Sequence, residues 1–376
     1  MSVEIRSVSS RRELRAFIRF NYRLYKDCPY SVPGLYVDEL DTLSPRRNPA
    51  YDFCKAELFL AYKDGKIAGR VAAIINENVN ERWGEKAVRF GWLDFIDDTE
   101  VSSALLGKVA SWGRERGMDK IHGPLGFTDF DREGVLVQGY DQLATMSTSY
   151  NYPYYVAHLE GLGFTKEQGW LEMRLKVPEA TAERHKRLSQ AVMQRYNLHV
   201  MNFKSKTAIM ERYGTEIFAL INEGYNDLPG FSILTQRQID LYVRKYKPVI
   251  DKRMVCLIAD SNEKLVGVGI SMPSLSRALQ KGRGLLFPFG WWHILKALFW
   301  KAPDTLDLLL VAVSSEYRNK GVNSIMLSEL IPHYIDMGFT WGETTLELES
   351  NRQIHAMWDM YEHTVHKRHI LYCKAL

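Results

Sequence analysis

Two stretches of the chain carry the same alternation of apolar and polar positions. Residues 57–76 read ELFLAYKDGKIAGRVAAIIN, two apolar runs around Lys63-Asp64-Gly65-Lys66. That pattern predicts a β-hairpin closed by a tight Asp-Gly turn. Residues 254–273, MVCLIADSNEKLVGVGISMP, repeat it around Ser261, Asn262 and Glu263. Each hairpin is followed by a similar series. In the first half, RFGWLDFID predicts a strand, residues 99–117 an amphipathic helix closed by Gly117, MDKIHGPLGF a strand, YYVAHLEGLGF a short helix and GWLEMRLKV a strand. In the second half, LDLLLVAV predicts a strand, residues 322–338 a helix closed by Gly338, TTLELES a strand, NRQIHAMWDMYEH a helix and RHILYCKAL a last strand. A helix precedes each hairpin, over residues 11–27 and 208–227.

The repeat unit is far longer than a solenoid repeat. It predicts two copies of one α/β domain, residues 1–178 and 198–376. Residues 179–197 form a stiff, charged helical connector with no Gly or Ser run. A length of 376 residues suits two domains of ordinary size.

Composition narrows the function classes. The 49 Lys and Arg are interspersed with 45 Asp and Glu, giving a net charge of +4, so no basic block points to nucleic acid. Cys28, Cys54, Cys256 and Cys373 lie far apart without a CxxC pair, as expected of reduced thiols in a cytoplasmic protein. Residues 284–303, GLLFPFGWWHILKALFWKAP, are interrupted by Pro288, Gly290, His293 and Lys296 and are too short for a transmembrane segment. Three roles stand open for them: packing on the other domain, a lid over a substrate cleft, or lying on a membrane surface.

Chemistry concentrates after LDLLLVAV, where the chain reads SSEYRNKGVNSIMLSEL. A strand, a short basic turn containing Gly321 and a helix start make a phosphate cradle, because the first amides of a helix are unpaired and carry partial positive charge. The counterpart in the first half is FIDDTEVSSALLG, where Asp97, Asp98 and Glu100 would repel a phosphate.

The order of hairpin, strand, phosphate-type turn, helix, strand, Asn-led helix and closing strand resembles the GNAT acyltransferase superfamily. The motifs carrying the resemblance are VAVSSEYRNKGVNSIML with LELESN, and YNYPYYVAHLEGLGF after GPLGFTDFDREGVLVQGYD. It implies two tandem GNAT-like domains, each a mixed, mostly antiparallel sheet flanked by helices, with one splayed parallel strand pair. It implies acetyl-CoA or another acyl-CoA as co-substrate. The pyrophosphate would lie on Arg318, Asn319, Lys320, Gly321, Val322, Asn323 and Ser324, and the pantetheine arm on the backbone of Leu310, Val311, Ala312 and Val313 and on Asn351. Asn323 departs from the family's Gly or Ala, yet its amide N–H remains available.

The acid of the family is a Tyr on the Asn-led helix. Tyr361 is the Tyr there, ten residues after Asn351, and Trp358 holds the usual place at seven. Glu349 is the candidate base, with Glu347 on the same strand face by period-two alternation, unless that face is simply solvated. His355, His363, His366 and His369 lack partner ligands at metal spacing, so no metal is expected. The expected function is acyl-CoA-dependent acyl transfer, in the first instance N-acetyl transfer, to a small-molecule acceptor, an amine. The alternative is an inactive descendant that binds a small molecule or a protein.

Overall fold

The computed structural model describes residues 2–203, 205–300 and 303–376. Its strands are β1 (Glu4–Ser7), β2 (Cys54–Lys63), β3 (Lys66–Asn76), β4 (Ala87–Phe95), β5 (Lys120–Gly123), β6 (Val135–Gln138), β7 (Thr165–Lys176), β8 (His199–Val200), β9 (Val255–Ala259), β10 (Leu265–Pro273), β11 (Thr305–Val313), β12 (Trp341–Thr344), β13 (Glu347–Leu348) and β14 (His363–Ala375). All of them join one sheet in the order β1-β2-β3-β4-β5-β14-β7-β12-β11-β10-β9-β8, with β6 on β14 and β13 on β7. Both hairpins form as the alternation predicts. The parallel pairs among the described residues are β4 with β5 and β11 with β12.

The halves exchange their closing strands. β7, from the first half, pairs with β12 and β13 of the second. β14, the end of the second half, pairs with β5 and β6 of the first. β7 and β14 then pair antiparallel with each other from Leu175–His363 to Thr165–Cys373. The seam holds buried charge. Glu172 on β7 lies 2.8 Å from Lys367 Nζ and 2.8 Å from His369 Nε2, both on β14. All three side chains are almost fully buried, and Lys367 also donates to the Leu143 carbonyl at 3.0 Å. Burial alone would raise the Glu172 carboxyl, but Lys367 and His369 outweigh it and hold it well below the carboxylate range.

Several boundaries differ from the sequence pattern. The strand expected over residues 344–350 is broken: β12 ends at Thr344, where it parts from β11, and only Glu347–Leu348 resumes pairing, on β7. The Asn-led helix stops at Trp358, and β14 begins at His363, so His366 and His369 lie on a strand and share no helical face. Helices Glu77–Trp83 and Gln236–Tyr246 are additional to the pattern. The expected connector is a helix over Glu183–Tyr196, packed on helix Val322–Asp336.

Residues 284–300 divide their surface. Leu298 and part of Ile294 and Ala297 pack with Leu279, Leu275 and Val32, while the Phe and Trp side chains point outward. Lys301 and Ala302 of that segment lie outside the described residues. Among the described residues, no helix is long and apolar enough to cross a membrane.

Removing one member of a buried ion pair strands its partner and costs roughly 3–5 kcal/mol. Glu172→Gln is therefore expected to lower unfolding free energy by about that amount, measured by urea denaturation, while the exposed pair mutant Glu4→Gln leaves the unfolding midpoint unchanged.

Candidate active site

The parallel pair β11–β12 is joined only from Thr305 to Leu308. Beyond Leu308 the strands splay. Ser314 N donates to Val266 O at 2.9 Å, and Gly267 stands opposite Val313. In an antiparallel ladder that arrangement turns the N–H and C=O of Val313, and of Val311 two residues earlier, away from β10 and into the gap. Helix Lys206–Tyr225 crosses the gap's edge, close enough that a Cβ on Gly224 would lie 3.1 Å from Ala312 Cβ. Tyr225 is thereby placed to donate its hydroxyl to Val311 O at 3.2 Å.

The basic turn follows. Gly321 adopts φ +81° and Asn319 φ +61°, and Gly321 is the N-cap of helix Val322–Asp336 without a side-chain cap. Among the described residues, the amides of Asn319, Gly321, Val322 and Asn323 meet no acceptor, whereas Ser324 N donates to Gly321 O at 2.9 Å. The turn thus presents unpaired N–H groups at a helix start, the chemistry that suits a phosphate. Arg318 is occupied elsewhere. It donates to the Glu223 and Gly224 carbonyls at 3.0 Å and pairs with Asp227 at 2.7 Å, bracing the end of helix Lys206–Tyr225. The Lys320 ammonium lies 5.1 Å and 5.0 Å from the ring centres of Tyr196 and Tyr317. Asn323 Oδ1 is buried without a hydrogen-bond partner among the described residues.

The first half has the same geometry and closes it. Ile96 N donates to Ala68 O at 3.0 Å with Gly69 opposite Phe95, so Phe95 N–H and C=O face the gap between β4 and β5. Two tyrosines of helix Tyr154–Gly161 take both groups: Tyr155 Oη accepts from Phe95 N at 3.3 Å, and Tyr154 Oη donates to Phe95 O at 2.5 Å. Tyr155 stacks on Phe95 at 4.3 Å and is buried. The helix start beyond it is capped by Asp98, which accepts from Glu100 N and Val101 N, with Lys63 paired to the carboxylates.

A cavity of about 460 Å³ runs from the second half's gap to the first half. Leu308–Val311, Thr345–Leu348 and Trp358 form one wall; His122, Leu125, Asp129, Glu133 and Trp170 face them.

No family model matches the chain. It is 28% identical over 377 residues to Protein YghO of Escherichia coli, spanning 99% of this chain and 95% of that protein. It is 26% identical over 385 residues to the bacterial ceramide synthase of Caulobacter vibrioides, spanning 98% and 96%. Among solved structures, a tandem GNAT protein from the clavulanic acid biosynthesis pathway superposes over 100% of this chain and 98% of its own, with TM-score 0.55 at 12% identity. A GCN5-related N-acetyltransferase from Sphaerobacter thermophilus covers 99% and 95%, with TM-score 0.51 at 11% identity. The chain has the tandem GNAT fold.

Within this tandem GNAT fold the cavity collects carboxylates from both halves. Glu347, on β13, is pushed up to about 7 by burial, and Trp358 opposes that shift by donating its indole N–H at 2.9 Å. Trp358 stands where the family's Tyr is expected, so the departure noted in the sequence supplies a donor to a carboxylate. Opposite lies the loop FTDFDREG. Asp131 accepts from Phe127 N at 2.8 Å and Thr128 N at 3.2 Å, which folds the loop on itself. Asp129 accepts from Ser232 N at 2.7 Å, and Phe130 stacks on Tyr242 at 4.9 Å, tying the loop to the second half. Burial raises the Asp129 carboxyl, against the pull of Arg89, and raises Glu133 well above its ordinary range, with Asp129 adding to the shift. The signal for this loop in the sequence is its charge density, three carboxylates and Arg132 in five residues between apolar strands.

Of the residues singled out from sequence, Leu310, Val311 and Asn351 line the cavity. Asn351 also caps the helix Arg352–Trp358, accepting from Ile354 N at 3.3 Å. Ala312 packs under Gly224. Glu349 lies outside the cavity, over Gly169, and pairs with Arg368. The strand ends at Leu348, so the alternation that would align Glu349 with Glu347 does not continue. Tyr361 lies outside it too, hydrogen-bonded to His185 Nδ1 at 2.8 Å.

Trp358→Phe deletes the donor that holds the Glu347 carboxyl down. Its titration is expected to move upward, read from the carboxyl stretch in infrared difference spectra against Glu347→Gln; an unmoved titration would show that the indole contact carries no electrostatic weight.

Proposed function

We propose that the protein is an acyl-CoA-dependent N-acyltransferase that takes one acyl-CoA per chain, in the second half, and transfers a long acyl group to an amine. The observation carrying this reading is the asymmetry of the two gaps: Phe95 N–H and C=O are satisfied by Tyr155 and Tyr154, whereas Val313 and the turn after it present open backbone groups. The residues fit the coenzyme. The amides of Asn319, Gly321, Val322 and Asn323 would hold the pyrophosphate, and Val311, Val313 and Asn351 the pantetheine arm. The coenzyme supplies the acyl group as a thioester.

The chain's own residues supply the rest. Glu347, with its carboxyl at about 7, accepts the proton that the attacking amine loses as the C–N bond forms, and returns it to the coenzyme A thiolate that departs when the C–S bond breaks. Asp129 and Glu133 at the far wall, both raised by burial, offer carboxyl groups that can hydrogen-bond the polar end of the acceptor. Apolar side chains between the two ends favour long chains, since each buried methylene contributes about 0.8 kcal/mol. An acetyl group leaves most of a 460 Å³ cavity unused, so a longer acyl group replaces acetyl in this reading. The similarity to a bacterial ceramide synthase supports the same choice, because a ceramide is a long-chain amino alcohol acylated on nitrogen. Four free cysteines accord with the expected cytoplasmic setting.

A binding module without catalysis is the second reading, favoured by the engagement of Arg318 with Glu223 and Asp227 and by the position of Tyr361 outside the cavity.

Calorimetry with coenzyme A is expected to give one site per chain, lost in Gly321→Asp. With an amine acceptor, kcat/KM is expected to rise about fourfold per added methylene of the acyl-CoA until the cavity fills. Glu347→Gln is expected to lower kcat by about 10²–10⁴. Because Glu347 accepts a proton only when ionised, the wild-type rate should climb about tenfold per pH unit below its pKa of about 7 and level off above it. Coenzyme binding without turnover on any acyl-CoA and amine pair would select the second reading.

A further inference from the structure

The exterior of residues 284–300 is inverted relative to a water-facing surface. Phe287 and Phe289, on either side of Pro288, are 77% and 70% exposed, and Trp300 is 64% exposed. Trp291 and Trp292 are exposed beside them, with the Trp292 and Trp300 rings 5.1 Å apart. The helix Gly290–Leu295 and the turn Lys296–Trp300 thus bury Gly290 and Leu298 on one side and present tryptophan on the other. A bare aromatic face of this size marks an interaction site. Phe and Trp beside Lys are the residues that settle at the boundary between lipid headgroups and acyl chains.

The charge of the segment itself has one sign. Residues 274–303 contain Arg277, Lys281, Arg283, Lys296 and Lys301 and no Asp or Glu. The four of these that are described are exposed, and none forms an ion pair among the described residues. A second basic element adjoins it. Helix Arg11–Leu24 exposes Arg11, Arg15, Arg19 and Arg23, one every four residues and so on one helical face, again without ion pairs among the described residues. Tyr36 N donates to Gly284 O at 2.8 Å, and the Arg19 guanidinium lies 5.9 Å from the Tyr36 ring centre, so the arginine stripe and the aromatic segment meet. Tyr22 of the same helix lies against Gly284. Beneath the segment, Leu298 packs with Met272, and Leu309 packs on the same cluster; Met272 and Leu309 also line the cavity.

We propose that residues 284–300 and the arginine face of helix Arg11–Leu24 together form a docking surface for an anionic phospholipid bilayer, with Phe287 and Phe289 inserted at the interface and the arginines on the headgroups. This is independent of the acyl-transfer reading, since it concerns adsorption alone and is measured without turnover.

The full chain is sedimented with vesicles of phosphatidylcholine alone and of phosphatidylcholine mixed with phosphatidylglycerol. Wild-type protein is expected to bind the anionic vesicles, more weakly as salt rises, and to bind neutral vesicles little. Phe287→Ser with Phe289→Ser is expected to weaken binding about tenfold or more. Each of Arg15→Ala, Arg19→Ala and Arg23→Ala is expected to weaken it about fivefold at low salt. These side chains are exposed, and an unchanged melting temperature confirms folding. The wild-type comparison decides the matter even if a variant misfolds. Absence of wild-type binding to anionic vesicles, or binding that the phenylalanine pair does not alter, overturns the proposal. So does self-association in the absence of lipid that the same pair abolishes, because it assigns the face to a second copy of the chain.

Discussion

The antiparallel seam between β7 and β14 governs the molecule. Each strand leaves its own half to complete the sheet of the other, so neither half closes its sheet from its own residues. Glu172, Lys367 and His369 sit in the middle of this seam with almost no solvent. Such a triad is a poor source of net stability, because desolvating three polar groups costs about as much as their attraction returns. Its effect is on register. A one-residue slip of β14 would turn Lys367 and His369 to the opposite face and leave the Glu172 carboxylate buried without a cation. The triad therefore penalises every wrong pairing of the exchanged strands, and the correct pairing brings the two halves' loops face to face.

That placement explains how one fold used twice can do two jobs. The two gaps are built alike, from a parallel strand pair that parts and a Gly opposite the last strand residue. What differs is the occupant. In the first half, two tyrosine hydroxyls satisfy the N–H and C=O of Phe95, and an aspartate caps the helix start. The gap becomes a sealed core, and the half built around it carries the loop with Asp129, Asp131 and Glu133 into the cavity. In the second half the equivalent backbone stays open and the helix start keeps its amides. In the proposed reading, sealing one copy makes it a wall of the other copy's site.

The local elements were legible because their signals are local. Asp64-Gly65, with apolar runs on both sides, specifies a hairpin wherever it occurs, and Gly321 before a helix start marks a turn that needs φ > 0. Strand partners were not legible. The segment WLEMRLK reads as a strand, but nothing in its pattern reports that the carbonyl of Leu143 and the loop around Thr148 cover the face carrying Glu172. Likewise Tyr154 and Tyr155 read as the start of a short helix, and their role depends on Phe95, some sixty positions earlier in the chain. Glu349 and Glu347 were equal by alternation, and only the end of the strand at Leu348 separates them, sending one to Arg368 and the other to Trp358.

The cavity then ranks the candidate groups by electrostatics instead of by motif. A carboxyl near 7 at Glu347 is half ionised at neutral pH, so it can both take a proton and give it up. Burial raises both Asp129 and Glu133, and Asp129 raises Glu133 further, a cost that a cation beside them would offset. A second polar group on the acceptor would relieve that cost at the far wall, while the reacting amine would lose its proton to Glu347 at the near one. The apolar lining between the two fits neither role by itself. It shares Met272 and Leu309 with the cluster beneath the aromatic face, so a chain that fills the cavity and a bilayer that meets Phe287 and Phe289 press on one continuous apolar layer from opposite sides.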